Sequence, residues 1–353
     1  MIRYFALIST VLAATTVSAQ WLNYPTPGIP RLPDGKPNLA APAPKAKDGK
    51  PDLSGLWAIR YRPYNTNIAT DLKPEDILPW AVALTKQHKE NFGKDDPSSL
   101  QCLPFGPRVN FATDANPLKI IQTPTLIAIL SEDLAYRQIF LDGRALPADP
   151  NHTFMGYSVG HWEGDTLVVV TTGYNDRTWL DADGHPHTES LRTTERFHRK
   201  DFGHLELSET FDDPKAYARP WTVKVTGELT PDTDLLEYVC KENEKDSAHM
   251  VGKASDLKAI DVASDVLTRY VGVYAGTDRL GRPIRVEMFQ SERELSYSRD
   301  GLARQTLTAI SNSKFVTPGG AQLEFVEENG EIVALQLYGL AGDPRLPRIR
   351  GGK

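Results

Sequence analysis

From residue 118 to 229 the chain repeats one unit: a short stretch rich in β-branched and aromatic residues, apolar and polar positions alternating, then a tight turn. Leu118 to Thr123, Leu126 to Leu130, Tyr136 to Leu141, Gly156 to His161, Thr166 to Thr172, Leu191 to His198, His204 to Phe211 and Thr222 to Leu229 read as strands, and Leu235 to Cys240 reads as one more. Ser131-Glu132-Asp133, Glu163-Gly164-Asp165, Lys200 to Gly203 and Pro231-Asp232-Thr233 supply the turns. Parallel neighbours need a crossover of a dozen or more residues, usually a helix, and no helical period lies between these segments. The pattern excludes a parallel α/β sheet and predicts an antiparallel barrel or sandwich.

The flanks complete the expected architecture. Gly55-Leu56-Trp57 opens the alternation, and Pro74 to Phe92, with proline near its start and Gly93 as its stop, predicts one helix. The barrel-like domain is expected over residues 53–250. A charged stretch, Lys241 to Asp246, and polar residues as far as Asp265 separate it from residues 266–340, a smaller β domain. There Tyr270 to Tyr274, Ile284 to Phe289, Glu294 to Ser298, Arg304 to Ala309, Leu323 to Glu327 and Ile332 to Leu337 alternate again, with Asn329-Gly330 as a hairpin turn.

Residues 1–19 read as a secretory signal: Arg3, an apolar run from Phe5 to Leu12, and Val17-Ser18-Ala19 before Gln20. Residues 20–52 form an expected extended arm outside any packed core, with eight prolines between 25 and 51. Inside it Asp-Gly-Lys-Pro-Asn/Asp-Leu occurs twice, at Asp34 to Leu39 and Asp48 to Leu53. Export places the only two cysteines, Cys102 and Cys240, where disulfides persist, and the pair is expected to be bridged. A net charge of −6 leaves no basic field for nucleic acid or an anionic membrane, and no segment after the signal is long and apolar enough to span a bilayer.

Leu267-Thr-Arg-Tyr-Val-Gly-Val-Tyr274, with Phe315, Leu323-Glu-Phe325 and Gly330-Glu-Ile-Val333, resembles the small β domain appended to some serine β-lactamase-like hydrolases. In those enzymes the appendage is non-catalytic, and their Ser-x-x-Lys motif is missing here, so the resemblance implies no hydrolase activity. Gly160-His-Trp-Glu-Gly-Asp-Thr-Leu-Val168, Thr172-Gly-Tyr-Asn-Asp176 and Gly184-His-Pro-His187 resemble a family of exported bacterial hypothetical proteins, which implies export and no particular reaction. Gly55-x-Trp57 and Trp162-Glu-Gly-Asp165 are similar to lipocalin-like barrels, implying a calycin-like β core in which the tryptophan closes the floor.

Several side chains could carry chemistry. Gly156-Tyr-Ser158-Val-Gly160 matches a nucleophile elbow, but it runs into another strand instead of a helix, so Ser158 reads as a strand residue. Asp183-Gly-His185-Pro-His187-Thr-Glu189 is the densest group of ligand-type side chains. Its spacing of two would put His185, His187 and Glu189 on one strand face, able to hold a divalent ion, whereas Pro186 and Asp-Gly favour a surface loop, and no metal site is assigned. Strand parity sets Glu195 with Leu191, Thr193 and Phe197 on an apolar face, where a carboxylate needs a partner. Glu195, His187, Glu189 and His161 are therefore the candidate acids and bases, and Arg192, Asn175, Trp179 and Tyr157 the candidate ligand contacts, expected to converge on the barrel cavity. The expected function is acid–base chemistry, of lyase or hydrolase type, on a small organic substrate, with non-catalytic binding of a small molecule as the alternative. No glycine loop or haem-attachment motif names a cofactor, and the oligomeric state stays open.

Overall fold

The computed structural model describes residues 25–60, 64, 67–111, 117–240, 253, 256–277, 283–301, 304–318, 320–338 and 344–349. The expected signal segment therefore lies outside the described residues, as do residues 241–252 and 254–255 of the expected linker. Nine strands close into a barrel: β1 (Gly55–Arg60), β2 (Leu118–Gln122), β3 (Leu126–Ser131), β4 (Tyr136–Phe140), β5 (Tyr157–Glu163), β6 (Thr166–Thr172), β7 (Arg192–Arg199), β8 (His204–Asp212) and β9 (Trp221–Leu229). Trp57 seals the ring, pairing with Leu118 of β2 on one side and Leu229 of β9 on the other. The expected mainly β barrel is present.

Three local differences have physical causes. Leu235 to Cys240 is not a strand: β1 and β9 already close the ring, so no edge remains to accept another. The segment instead runs along the outer wall, where the Tyr238 amide donates to the Glu132 carbonyl at 2.8 Å. It ends at the disulfide Cys102–Cys240, which joins it to the loops above the barrel. Second, β4 and β5 pair in parallel, because Pro147 and Pro150 interrupt the ladder and the 141–156 connection returns the chain to the end from which β4 started. Third, the expected helix is split: a 3-10 turn spans Pro74–Asp76 and α1 begins only at Pro79 (Pro79–Glu90), with proline in its first turn where no hydrogen bond is lost.

The arm, expected as an extended segment outside any packed core, is tied to the barrel's base. Its two copies of the duplicated motif form matching miniature hairpins, with bridges Arg31↔Pro37 and Lys45↔Pro51. In each, an aspartate accepts from the amide two residues on, Lys36 to Asp34 and Lys50 to Asp48, both at 3.1 Å. Ile29 and Leu39 pack against the barrel core, and Leu53 is fully inside it. Beneath this cover Arg199 lies between the rings of Trp57 and Phe202, donating to the carbonyls of Asp52 and Phe202. Burial pulls its pKa down to about 10.

The C-terminal domain extends past its expected bounds. A short helix α2 (Pro97–Gln101) belongs to the barrel loops, and α3 (Ser264–Tyr270) opens the second domain where a strand was expected to begin at Tyr270. Strands β10 (Gly272–Thr277), β11 (Pro283–Ser291), β12 (Glu294–Arg299) and β13 (Gln305–Thr306) make one sheet. The other comprises β14 (Thr308–Ala309), β15 (Lys314–Val316), β16 (Gln322–Glu328), β17 (Glu331–Tyr338) and β18 (Arg345–Pro347). Asn329-Gly330 turns β16 into β17, and both residues have positive φ as that turn requires. Tyr270 stacks on Phe325 with ring centres 3.9 Å apart, at the middle of an apolar cluster separate from that of the barrel.

Candidate functional site

Alternation along β7 turns Thr193, Glu195, Phe197 and Arg199 inward, and Glu195 is wholly buried. Its partner comes from β4: Arg137 donates to Glu195 Oε1 at 2.8 Å and to Oε2, to Ser158 Oγ at 3.0 Å and to Thr171 Oγ1 at 2.7 Å. Glu209 of β8 sits directly opposite Glu195 in register and is also buried. Burial opposes the Arg137 charge, yet the Glu195 carboxylate outweighs it and raises the guanidinium pKa, with Glu209 adding to the effect. A carboxylate held bidentately with no exposed surface is not placed to exchange protons with a ligand. Its geometry is that of a structural ion pair, which costs heavily when only one partner is removed.

Above this layer the loops between β6 and β7 and between β8 and β9 bring a second set of polar groups over the barrel mouth. Asp181 and His185 are both buried, and His185 Nδ1 donates to Asp181 Oδ2 at 2.6 Å. The Asp181 carboxylate also accepts from the amides of Ile68 at 2.9 Å and His185 at 3.1 Å. Burial by itself would raise the Asp181 pKa, but the His185 charge and these donors hold it below the usual carboxylate range. Burial likewise opposes the imidazolium of His185, and the charge and hydrogen bond of Asp181, with a smaller contribution from Asp183, raise its pKa above 6.5. With Nδ1 committed to Asp181, Nε2 is the nitrogen left to exchange a proton.

His187 has the opposite character. Burial lowers its pKa to about 4, so it is neutral at physiological pH. Its Nδ1 faces the Thr188 carbonyl at 3.4 Å, and its Nε2 lies 2.9 Å from Thr178 Oγ1. A carbonyl only accepts, so Nδ1 carries the proton and Nε2 accepts from the threonine hydroxyl. Tyr174 touches the His187 ring edge-on and hydrogen-bonds Thr193 Oγ1 at 2.9 Å, connecting the mouth to the interior layer. Asp213 fixes the far side of the loop, accepting from the Thr188 amide at 2.6 Å and hydroxyl at 2.8 Å.

The residues singled out in the sequence divide between inside and outside. His187 and Trp179 belong to the mouth cluster, and Glu195 lies in the layer below. His161, Glu189 and Arg192 are exposed and do not join them. His161 faces outward on β5 and pairs with Glu163 at 3.2 Å, because parity with Tyr157 and Val159 is the outer parity of that strand. Glu189 faces His152 at 3.6 Å, since His185 to Glu189 is a loop and period-two spacing gives no common face there. Asn175 caps its own turn through the Arg177 amide at 3.2 Å. Tyr157 accepts from Arg144 at 3.0 Å while stacked on Phe140. Among the described residues no group of three or more His, Cys, Asp or Glu is arranged to hold a metal ion.

Sequence reasoning missed Arg137, Asp181 and His88. Arg137 meets Glu195 across the barrel from a strand that is not its neighbour, which no local pattern reveals. Asp181 carried a readable signal, four residues before His185 and followed by Asp183-Gly184 turn chemistry. His88 completes the buried face of α1 with Ala81 and Thr85, a spacing of four and three that marks one helix side. Compared with known proteins, the chain matches no family model and no curated sequence.

Proposed function

We propose that this protein is exported and carries out proton-transfer chemistry on a small organic molecule at the mouth of its barrel, with His185 as the base and Asp181 orienting it. The observation that carries the reading is the buried 2.6 Å contact between His185 Nδ1 and Asp181 Oδ2, which fixes the tautomer and directs the basic lone pair to Nε2. The neutral His187, held by Thr178, supplies a polar wall that does not compete for the proton. Export is supported by the signal-like first nineteen residues, by the disulfide, and by the finding that no helix among the described residues is long and apolar enough to cross a membrane.

A panel of small esters, lactones and hydroxy acids incubated with the mature protein tests the assignment. Turnover should rise with pH as His185 loses its proton, and His185→Asn should lower it by about a hundredfold or more. Turnover left unchanged in both His185→Asn and Asp181→Asn would remove these residues from the chemistry.

The second reading, a carrier without catalysis, is favoured by a groove of about 350 Å³ at the opposite end. It lies between the arm and the barrel base and is lined by Ile29, Leu56, Phe202 and Leu229 together with Lys119 and Asp234. Binding of panel members that is unchanged by His185→Asn, with no turnover, selects this reading.

A further inference from the structure

Beside the Asp181–His185 pair lies a third buried imidazole. His88, in the last turn of α1, stacks on Trp179 with ring centres 4.0 Å apart and planes 22° from parallel. Its Nδ1 lies 2.7 Å from the carbonyl oxygen of Gly184, and since a carbonyl only accepts, Nδ1 is the donor. Gly184 is the residue immediately before His185, and its φ of +85° is open to glycine and strained for other residues. A Cβ built there would lie 2.5 Å from His88 Cβ and 2.8 Å from its Nδ1, so the turn leaves no room for a side chain against His88. The next helical residue, Lys89, reaches Asp183 at 2.7 Å. Two consecutive residues of α1 thus grip two consecutive residues of the turn that carries His185.

We propose that His88 is a positioning residue for the Asp181–His185 pair: by holding the Gly184 carbonyl from a ring clamped on Trp179, it fixes the turn that sets His185 Nδ1 against Asp181. This rests on the reading of His185 as the proton-transferring group. The chemistry required of His88 is narrow. It needs a donor on Nδ1 and an aromatic face, which an imidazole supplies together on the buried side of the helix. The charged and titratable groups acting on His185 are Asp181 and Asp183 from its own loop and Lys89 from α1, with burial opposing its charge. Loss of the Gly184 anchor should loosen the Asp181 contact and let burial dominate, so the His185 midpoint falls.

The test is an NMR titration of imidazole resonances in the full-length protein, with His185→Asn identifying the His185 signals. His88→Phe keeps a ring on Trp179 and removes the donor, whereas His88→Asn restores a donor. The expected result is a His185 midpoint lowered by about half a pH unit or more in His88→Phe and returned toward the wild-type value in His88→Asn. An unchanged midpoint in His88→Phe, or equal shifts in both variants, overturns the proposal. A measurement on the unaltered protein keeps it exposed should a variant fail to fold: nitrogen shifts must show His88 protonated on Nδ1 at neutral pH, and the Nε2-protonated tautomer sinks it. These outcomes do not depend on turnover, so an inactive panel would count against the proposed reaction and leave the positioning role standing.

Discussion

The barrel and the C-terminal domain are built from the same alternation of apolar and polar residues, yet they treat charge in opposite ways. The barrel and its loops bury Arg108, Arg137, Arg199, Asp96, Asp181, Asp213, Glu195 and Glu209, together with three histidines. Among the described residues of the C-terminal domain no charged side chain is buried, and its centre is the aromatic group Tyr270, Tyr274, Phe315 and Phe325. Buried ions are costly to desolvate, and apolar replacements often serve stability as well or better. The second domain shows that strands of this kind pack without them. The charges of the barrel are therefore not demanded by its architecture: Arg137, Glu195 and Glu209 form a layer inside it, Arg199 sits at its base, and Asp181, Asp213 and the histidines gather over its mouth.

The chain carries its own means of observing the two units separately. All six tryptophans lie at or before Trp221, and all eight histidines at or before His249. Tryptophan fluorescence reports the barrel, and imidazole titration belongs to it and the segment following it.

The largest effect should come from separating the interior ion pair. Glu195→Ala leaves the Arg137 guanidinium buried without its carboxylate and should destabilise the barrel by about 3–5 kcal/mol. Arg137→Met should cost at least as much, because both Glu195 and Glu209 interact with its charge. Urea unfolding followed by tryptophan fluorescence measures this. The counterpart is Phe325→Ala, a cavity at the centre of the other core worth about 3–5 kcal/mol, which should shift a tryptophan-silent transition seen by circular dichroism and leave the tryptophan transition in place. If Phe325→Ala shifts the tryptophan transition as well, the domains unfold as one unit and the comparison fails.

Reduction of the disulfide should come next. Cys102 and Cys240 are separated by 138 positions and both belong to the barrel's outer connections. Opening the bridge should lower barrel stability by about 2–4 kcal/mol through the freedom regained by the unfolded chain. The C-terminal transition should stay where it is. A shift of the second transition under reductant would show that the linker after Cys240 transmits stability between the domains.

The strands were legible because burial on one face writes itself into every second residue. Eight of the nine barrel strands, β2 to β9, coincide with segments read as strands in the sequence, and the inward parity of Glu195 follows from Thr193 and Phe197 alone. Leu235 to Cys240 shows where that logic stops: alternation says that a segment suits a sheet, and closure by β1 decides whether any edge is left for it. The candidate site was only half legible. Period-two spacing drew attention to His185 and His187, but their real partners, Asp181 and Thr178, are placed by loop turns, and the Gly184 turn is held by His88 of a helix some hundred residues upstream. Side chains that meet across a barrel or over its mouth share no period.

A smaller and more selective effect should follow from acid. The His187 pKa is about 4 in the folded protein against 6.5 for an unperturbed imidazole. The unfolded chain therefore binds more protons between these values, and the stability this group contributes is present above pH 6.5 and lost as the pH falls toward 4. By pH 5 the loss should reach about 2 kcal/mol. His185 has the reverse sign: its raised pKa contributes stability at pH below 6.5 that fades as the pH rises through its folded value. Its contribution is thus already in place over the window in which that of His187 disappears. The tryptophan transition should weaken between pH 7 and 5, and His187→Gln, which keeps a group able to accept from Thr178, should flatten that dependence. Equal acid sensitivity of the tryptophan-silent C-terminal transition, whose domain has no histidine, would place the effect elsewhere.

The smallest effects sharpen the contrast within the barrel itself, between its inner and outer faces. His161 and Glu189 are histidine and carboxylate like the buried pair, but they are exposed and meet Glu163 and His152 across solvent. Water screens such contacts, and exposed pairs contribute little. His161→Ala and Glu189→Ala should therefore leave the tryptophan transition unchanged within error, and any turnover found with the small-molecule panel should be retained. The same residue types one layer inward should behave otherwise, since burial and a fixed partner are what turn an ordinary imidazole into an oriented base. If either outer variant abolished turnover while His185→Asn did not, the reaction would belong to the barrel wall or its rim, and the buried groups of the mouth would be scaffold.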